Sequence, residues 1–482
     1  MEIAIIGAGA AAVGLLDALP AGAAAAVTVF DPAPLPWRGR PYQPDLESVL
    51  VNAPPEIMSI RAGDPAHYAR WLAGHGAAFD AYTDPGLGRP LLPRGLYGRY
   101  LEDTARAALG RFRDARVVRS AVLGVAEEGG RLVLETAAGT HAADQAVLCV
   151  GGGTPHDHYG LAGAPGFVAD PYPLERTLAD VPAGRDVVVI GTGLTAVDIA
   201  VSLAARGHEG RIALASRGGA LPFVWQRPAA AEPRHLTAGR LRSLDAPVPL
   251  DVLIGLIRAE LADRGEDWDA LAADIAAAMK ADPARNLREQ LAAVDAPPMG
   301  RRIVQVAAHT VGPLAWRLLA GPDRERLRRG LFRTITAVAS PMVPRNAAVL
   351  LDLFDSGRLE VLAGLAGIGR DGSGFRVAHA GGVRTADVVI NAVNPPPRSV
   401  PRAAEPLVAS LLAAGAARHP DGGLAADPGT GRLLAGGRPD PRLHLVGDLA
   451  GGGSFITSGI PGVAAQAART AESIAAAART PA

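Results

Sequence analysis

Apolar residues fall along this chain first as short unbroken runs and later as helical stripes. Glu2–Ile6 and residues 27–30 are apolar runs with the length of strands buried on both faces of a parallel sheet. Between them Gly7-Ala8-Gly9-Ala10-Ala11-Ala12 opens an Ala- and Leu-rich stretch that reads as a helix, and the second run ends in Asp31. The same order returns later. Residues 186–190 form a run, Gly191-Thr192-Gly193-Leu194-Thr195-Ala196 a turn, 197–205 a helix, and 211–215 a run ending in Ser216-Arg217. Between the two copies, 145–150 reads as a strand that leaves through Gly151-Gly152-Gly153-Thr154-Pro155.

From Trp225 to Arg329 amphipathic stretches such as 250–261 and 267–279 predict helices, punctuated by Pro222, Pro228, Pro233, Pro283 and Pro297-Pro298. Strand patterns resume at 358–361, 374–378 and 388–392. A last apolar run from Leu443 ends in Val446-Gly447-Asp448. Beyond Gly451–Pro461 an Ala-rich helix is expected over 462–478, with Pro461 near its start, where proline is tolerated.

The chemistry of the glycine turns is local. Gly7 permits a tight turn, Gly9 lets the backbone approach a pyrophosphate at the helix N-terminus, and Ala12 permits close helix–strand packing. Asp31 follows Gly9 by 22 residues, near the ~20 expected of an acid that accepts hydrogen bonds from a ribose diol. The second copy, with Gly191 and Gly193, ends instead in a hydroxyl and a guanidinium. Ser216 and Arg217 suit a 2′-phosphate, so this copy is expected to take NADP(H); the alternative is a solvated arginine in a turn.

Composition removes several other chemistries. The chain has 482 residues, 49% hydrophobic and 20% charged, with 48 basic against 48 acidic side chains, so nothing points to nucleic acid or a membrane surface as partner. Cys149 is the one cysteine, which excludes an internal disulfide, a C-x-x-C pair and thiolate-held clusters. Lys280 is the one lysine, so there is no P-loop. His156 and His158 lack a third ligand and read as a polar loop, and no metal site is expected. No targeting segment is evident, and a cytoplasmic, reducing location is expected.

With two Gly-x-Gly-x-x-Ala units, a Gly-rich exit near residue 150 and a late Val-Gly-Asp, the chain resembles flavoproteins with two dinucleotide-binding domains. That resemblance implies FAD on the first unit and NAD(P)H on the second, and a contact from Gly447-Asp448 to the ribityl–phosphate region. The N-terminus of the helix over 462–478, with Ile460 just before it, would face an electron-rich group such as the pyrimidine edge of a reduced flavin, with Ser454, Thr457 and Ser458 beside that edge or capping the helix. A narrower resemblance, to an uncharacterised bacterial FAD/NAD(P)-binding oxidoreductase family, rests on several segments. They are Phe30-Asp31-Pro32, Gly39-Arg40-Pro41-Tyr42, Leu50-Val51-Asn52-Ala53-Pro54 with Met58-Ser59, Asp64-Pro65 through Trp71-Leu72, Pro93–Tyr100, and Ser216-Arg217-Gly218-Gly219. It implies that Asn52, Pro54 and Met58 lie near the isoalloxazine.

These proteins look related to flavin-dependent N-hydroxylating monooxygenases, in which NADPH reduces FAD, O2 adds at C4a, and an amine attacks the hydroperoxide. The chain departs from neighbouring patterns at Val168-Ala169-Asp170, Asn391-Ala392-Val393-Asn394 and Ser340-Pro341-Met342-Val343-Pro344. The expected fold is α/β, with two Rossmann-like dinucleotide-binding domains, the FAD domain discontinuous, and an inserted helical block. The expected boundaries are 1–165 and 336–482 for FAD and 166–335 for NADPH, with the block at 225–330. The block would be a substrate lid or a dimerisation surface, and a homo-oligomer stays open. The expected activity is an FAD- and NADPH-dependent monooxygenase hydroxylating the amino group of a small metabolite with O2. The alternatives are an NAD(P)H-dependent reductase or dehydrogenase without oxygenation, and a non-enzymatic flavin-binding module. No catalytic side chain is assigned. Arg94 is expected on phosphate or in solvent, Tyr97 and Tyr100 at a helix start, and His67 and His444 in structural roles.

Overall fold

The computed structural model describes residues 1–76, 79–227, 233–296, 299–451 and 459–479. Two parallel sheets organise it. In the first, the order is Arg432–Ala435, Arg438–Leu445, Gln145–Leu148, Glu2–Ile6, Ala26–Phe30 and Asp114–Val118; only the outer pair Arg432–Ala435 and Arg438–Leu445 is antiparallel. The second sheet runs Phe167–Val168, Val388–Asn391, Val187–Ile190, Ile212–Ser216 and Leu359–Ala363, all parallel. Their central strands are buried on both faces, as the unbroken apolar runs require.

The two sheets follow one plan. Each unit has a strand, a glycine turn, a helix (Ala10–Ala18 or Leu194–Ala205) and a second strand, then an excursion and a third strand. A three-stranded antiparallel sheet and a closing strand beside the first complete each copy. The antiparallel sheets are Val122–Glu128, Arg131–Thr136 and Gly139–Ala143 in one, and Gly367–Asp371, Gly374–His379 and Gly382–Ala386 in the other. Backbone bonds repeat as well: Gly7 N donates to Phe30 O and Gly191 N to Ala215 O, each at 2.7 Å.

This duplication corrects the expected boundaries. The strands Leu359–Ala363 and Val388–Asn391 pair in the second sheet, so the chain does not return to the first at 336 but beyond Asn391. Apolar alternation over 358–392 suits either sheet, and only long-range pairing decides. The helical block is also longer than 225–330, since Phe332–Ala339 and Pro344–Asp355 continue it. It is the excursion of the second unit, in the position that residues 31–113 occupy in the first.

The first core joins the helix Ala10–Ala18 to the C-terminal helix Ile460–Arg479. A Cβ on Gly14 would meet Ala467 Cβ at 3.3 Å, so small residues set that close approach. The helical block has a small core of its own around Leu236, Leu241, Leu256, Leu261 and Ile303. There Glu260, fully buried, accepts backbone N–H groups of Arg234, His235 and Leu236 together with the Arg264 guanidinium. Among the described residues no helix is long and apolar enough to cross a membrane.

Candidate functional site: two glycine turns and the segment between them

At the first turn Gly7 has φ +97°, and a Cβ there would stand 2.4 Å from Cys149 O, so only glycine fits between the two strand ends. Gly9 caps the helix Ala10–Ala18 without any side-chain acceptor, which leaves the first-turn N–H groups to a ligand. Asp31 turns inward: Oδ2 accepts from Ala8 N at 2.6 Å and Oδ1 from Ala33 N at 2.7 Å. It fixes the glycine turn, and each oxygen keeps a second lone pair for a diol. Ala12 is fully buried under the turn.

Over the turn lies a residue that sequence patterns did not reveal. Trp37 has φ +76°, rare for a non-glycine residue, and donates its N–H to Ala8 O at 2.6 Å. Two residues on, Gly39 approaches Gly9, where a Cβ would find Gly39 Cα at 3.7 Å. The 37–39 turn thus roofs the N-terminus of the first helix.

Gly447 (φ +105°) packs on the same helix; a Cβ there would meet Ala11 Cβ at 3.3 Å, and Gly447 N donates to Gln466 Oε1 at 2.9 Å. Asp448 beside it accepts from Arg398 N at 3.1 Å and lies against Gly152, so the late Gly-Asp and the Gly-rich exit meet next to the first glycine turn. Among the described residues Arg398 is the other non-glycine residue with positive φ, at +65°. Ile460 opens the C-terminal helix and is buried in the same core. Gly452, Gly453, Ser454, Thr457 and Ser458 lie outside the described residues.

The second turn is more open. Gly191 (φ +122°) would bring a Cβ only to 3.5 Å from Ala392 O, and around Gly193, the uncapped start of the helix Leu194–Ala205, nothing lies within 4 Å. Ser216 is buried; its hydroxyl accepts from Gly219 N at 2.9 Å and lies 3.1 Å from Thr192 Oγ1, so it shapes the turn that carries Arg217. Arg217 is exposed and, among the described residues, makes no ion pair. Arg333 of the helical block lies near enough that Arg217, after burial, lowers its pKa. An exposed guanidinium unpaired among the described residues, in the field of a second, suits a doubly charged phosphate. Both turns therefore fit the diphosphate of a dinucleotide.

The segment 49–60 is tied down by the helix Arg94–Leu109. Tyr97 Oη donates to Met58 O at 2.9 Å, Ile60 N donates to Tyr100 Oη at 3.1 Å, and Arg94 Nε donates to Leu50 O at 3.0 Å. Both tyrosines are fully buried, and burial pushes the Tyr100 hydroxyl up to about 12. His67 Nδ1 meets Tyr100 Oη at 2.8 Å. Arg94 is neither on phosphate nor in solvent: it pairs with Asp198 of the second unit at 2.7 Å, and Tyr172 Oη donates to the same carboxylate oxygen at 2.7 Å. Met58 is buried, and Asn52 Oδ1 is shielded from solvent without a donor. Asn52 O accepts from Trp225 Nε1 at 3.2 Å, where the excursions of the two units touch.

Other candidates fall away from this region. The His156 and His158 rings meet edge to face at 4.9 Å in a loop, and Cys149 is buried with its thiol pKa pushed up by that burial. A depression of about 160 Å³ between Asp186, Phe375 and Asp387 lies at the opposite end of the second sheet from Gly191.

Residues 4–153 match a family model described as FAD-NAD(P)-binding. No curated protein matches the sequence. Among solved structures the chain is similar to ornithine hydroxylase from Pseudomonas aeruginosa in its reduced form (TM-score 0.60, 14% identity, 99% of each chain covered). It is similar also to L-lysine 6-monooxygenase from Pseudomonas syringae (0.59, 16%, 99% of each). A third is the FAD-bound cadaverine monooxygenase of desferrioxamine biosynthesis from Erwinia amylovora (0.59, 11%, 98% of this chain and 94% of that one). Residues 4–153 thus match a model of FAD-NAD(P)-binding sequences, and over its whole length the chain shares the fold of these three structures.

Proposed function

We propose that the protein is an FAD- and NADPH-dependent monooxygenase that hydroxylates the amino group of a small metabolite. The observation that carries this reading is the contact of the two excursions. Asn52, in the segment whose resemblance sets it by the flavin ring, is covered by Trp225 at the mouth of the helical block. A helical cover over that segment suits a reaction that must exclude water while O2 is activated. The structural relatives named for lysine, ornithine and cadaverine support an amine as the group modified.

When bound, FAD supplies the redox chemistry between NADPH and O2. The chain itself binds and orients. Gly7, Gly9 and Asp31 form one cradle and Gly447-Asp448 its flank, while Gly191, Gly193 and Arg217 form the second, with Ser216 holding the Arg217 turn. Tyr97 and Tyr100 fix the backbone between Met58 and Ile60.

The test is anaerobic reduction of the FAD-loaded protein by NADPH, followed by rapid mixing with O2 while absorbance is recorded. A long-lived spectrum, neither reduced nor oxidised flavin, is expected. Direct return to oxidised flavin would favour an NADPH-driven reductase, and failure of NADPH to reduce the flavin would leave a flavin-binding module.

A further inference from the structure

We propose that one face of the helix Gly300–Thr310, bearing Arg301 and Gln305, is a binding site for a carboxylate carried by the substrate. Arg301, Gln305 and His309 recur every four residues and so share a face. That face meets the extended segment 223–226. Arg301 Nε donates to Gln226 Oε1 at 3.1 Å, and its guanidinium lies over the Phe223 ring at 5.4 Å. The His309 ring stacks on Trp225 at 6.3 Å, and Trp225 in turn reaches Asn52 O. The helix face is therefore linked, through one aromatic side chain, to the segment read as the flavin edge.

Three polar atoms of this cluster are sealed from solvent and unused: Arg301 Nη2, Gln305 Nε2 and Asn52 Oδ1. Gln305 is only 1% exposed. The charge is unbalanced too. Burial and the like charge of Arg302 lower the Arg301 pKa to about 10, and no carboxylate pairs with Arg301 among the described residues. A half-buried guanidinium with one nitrogen sealed and no counter-ion among the described residues is unfavourable, and a fold that keeps one is prepared for an anion. A guanidinium edge and an amide donor one helical turn apart match the two oxygens of a carboxylate. The dinucleotide phosphate is the weaker occupant, because the exposed Arg217 already stands at the end of the strand that follows the second glycine turn. That an anion binds here is independent of the proposed activity; that it belongs to the substrate rests on it.

The experiment uses the FAD-loaded full chain, melted in sodium acetate and in sodium chloride at equal ionic strength. Acetate is expected to raise the wild-type Tm by about 2 °C over chloride. Arg301→Met is expected to lose that response. Gln305→Glu places a carboxylate one turn from Arg301 and is expected to melt above wild type in chloride while no longer responding to acetate. An equal acetate response in wild type and Arg301→Met, including none in either, would overturn the proposal. So would Gln305→Glu melting below wild type, which decides the matter if Arg301→Met does not fold. A tenfold or greater loss of NADP+ affinity in Arg301→Met, read by equilibrium titration, would assign the anion to the dinucleotide and overturn it as well. None of these readouts involves O2 or turnover, so their failure and failure of the monooxygenase reading are told apart.

Discussion

The two glycine turns occupy the same place in two copies of one plan, and they differ in how tightly the chain closes on them. At Gly7 the carbonyl of Cys149 leaves no room for a Cβ, and the 37–39 turn covers the adjacent helix start. At Gly191 the equivalent carbonyl, Ala392 O, stands back, and Gly193 faces open space. A covered cradle slows release of whatever it holds, whereas an open one allows exchange at every turnover. On the function proposed above, the difference assigns a resident FAD to the covered turn and an exchanging NADPH to the open one.

The largest expected effect comes from filling the closed turn. Gly7→Ala adds left-handed strain to a backbone overlap, about 3–5 kcal/mol together, and should yield protein that loses its flavin or fails to accumulate. Gly191→Ala carries the strain alone, about 1–2 kcal/mol, and should keep its flavin while binding NADPH more weakly. The ratio of flavin absorbance to protein absorbance in the two variants checks the contrast; equal flavin loss in both would remove it.

Next comes the joint between the copies. Arg94 and Asp198 form a buried pair across the units; burial alone would lower the Arg94 pKa, yet Asp198 and Tyr172 hold it above its ordinary value. Burial pushes the Asp198 carboxyl up. Arg94→Leu leaves that carboxylate unpaired and should cost about 3 kcal/mol, with Arg94→Leu/Asp198→Leu recovering part of it. Calorimetry of the single variant should split one transition into two, and a single unshifted transition would show that the pair does not couple the units.

Acid should separate the units in another way. His444 sits fully buried in the first sheet, its Nε2 3.0 Å from Gln145 Oε1, and burial, then Arg432, pulls its pKa down to about 4. An unfolded histidine titrates near ~6.5. Between those values the unfolded chain takes a proton that the folded one refuses, so stability falls as pH drops from 6.5 towards 4, by about 2–3 kcal/mol. The slope of Tm against pH over that window should flatten in His444→Gln; an unchanged slope would remove His444 from the account.

Both turns were legible in the sequence because Gly-x-Gly, the following helix and the strand-end residue are local, within about thirty residues of one another. The partition of the later strands was not, since Leu359–Ala363 chooses the second sheet by pairing with Ile212–Ser216, more than a hundred residues earlier. Ser216 and Arg217 read alike in sequence, yet one is spent inside the turn and the other is exposed and, among the described residues, makes no ion pair, a distinction only packing makes. Trp37 carried no signal, for its strain follows from the fold around Ala8. Arg301, Gln305 and His309 did leave one, polar positions every fourth residue between Ile303, Val304 and Ala307, but a solvated stripe looks the same until Phe223 and Trp225 cover it.

The finest discrimination lies at the strand ends, where the first copy has Asp31 and the second Arg217. If Arg217 receives the 2′-phosphate, a charge-assisted hydrogen bond of about 1.5–3 kcal/mol is at stake, equivalent to roughly ten- to a hundredfold in affinity. Arg217→Ala should weaken NADPH binding by that factor and leave NADH almost untouched, because NADH offers no phosphate there. Arg333→Ala should act in the same direction but less, since Arg333 belongs to the helical block and adds only its field to Arg217, which the turn that Ser216 holds presents. Arg217→Asp restores in the second copy the acid of the first, repels the phosphate and accepts a ribose diol, so it should invert the preference. The check is the ratio of kcat/KM for flavin reduction by NADPH and NADH. A loss shared equally by both nucleotides would mean that Arg217 supports the turn as Ser216 does, and the chemical contrast between the two copies would then lie elsewhere than at their strand ends.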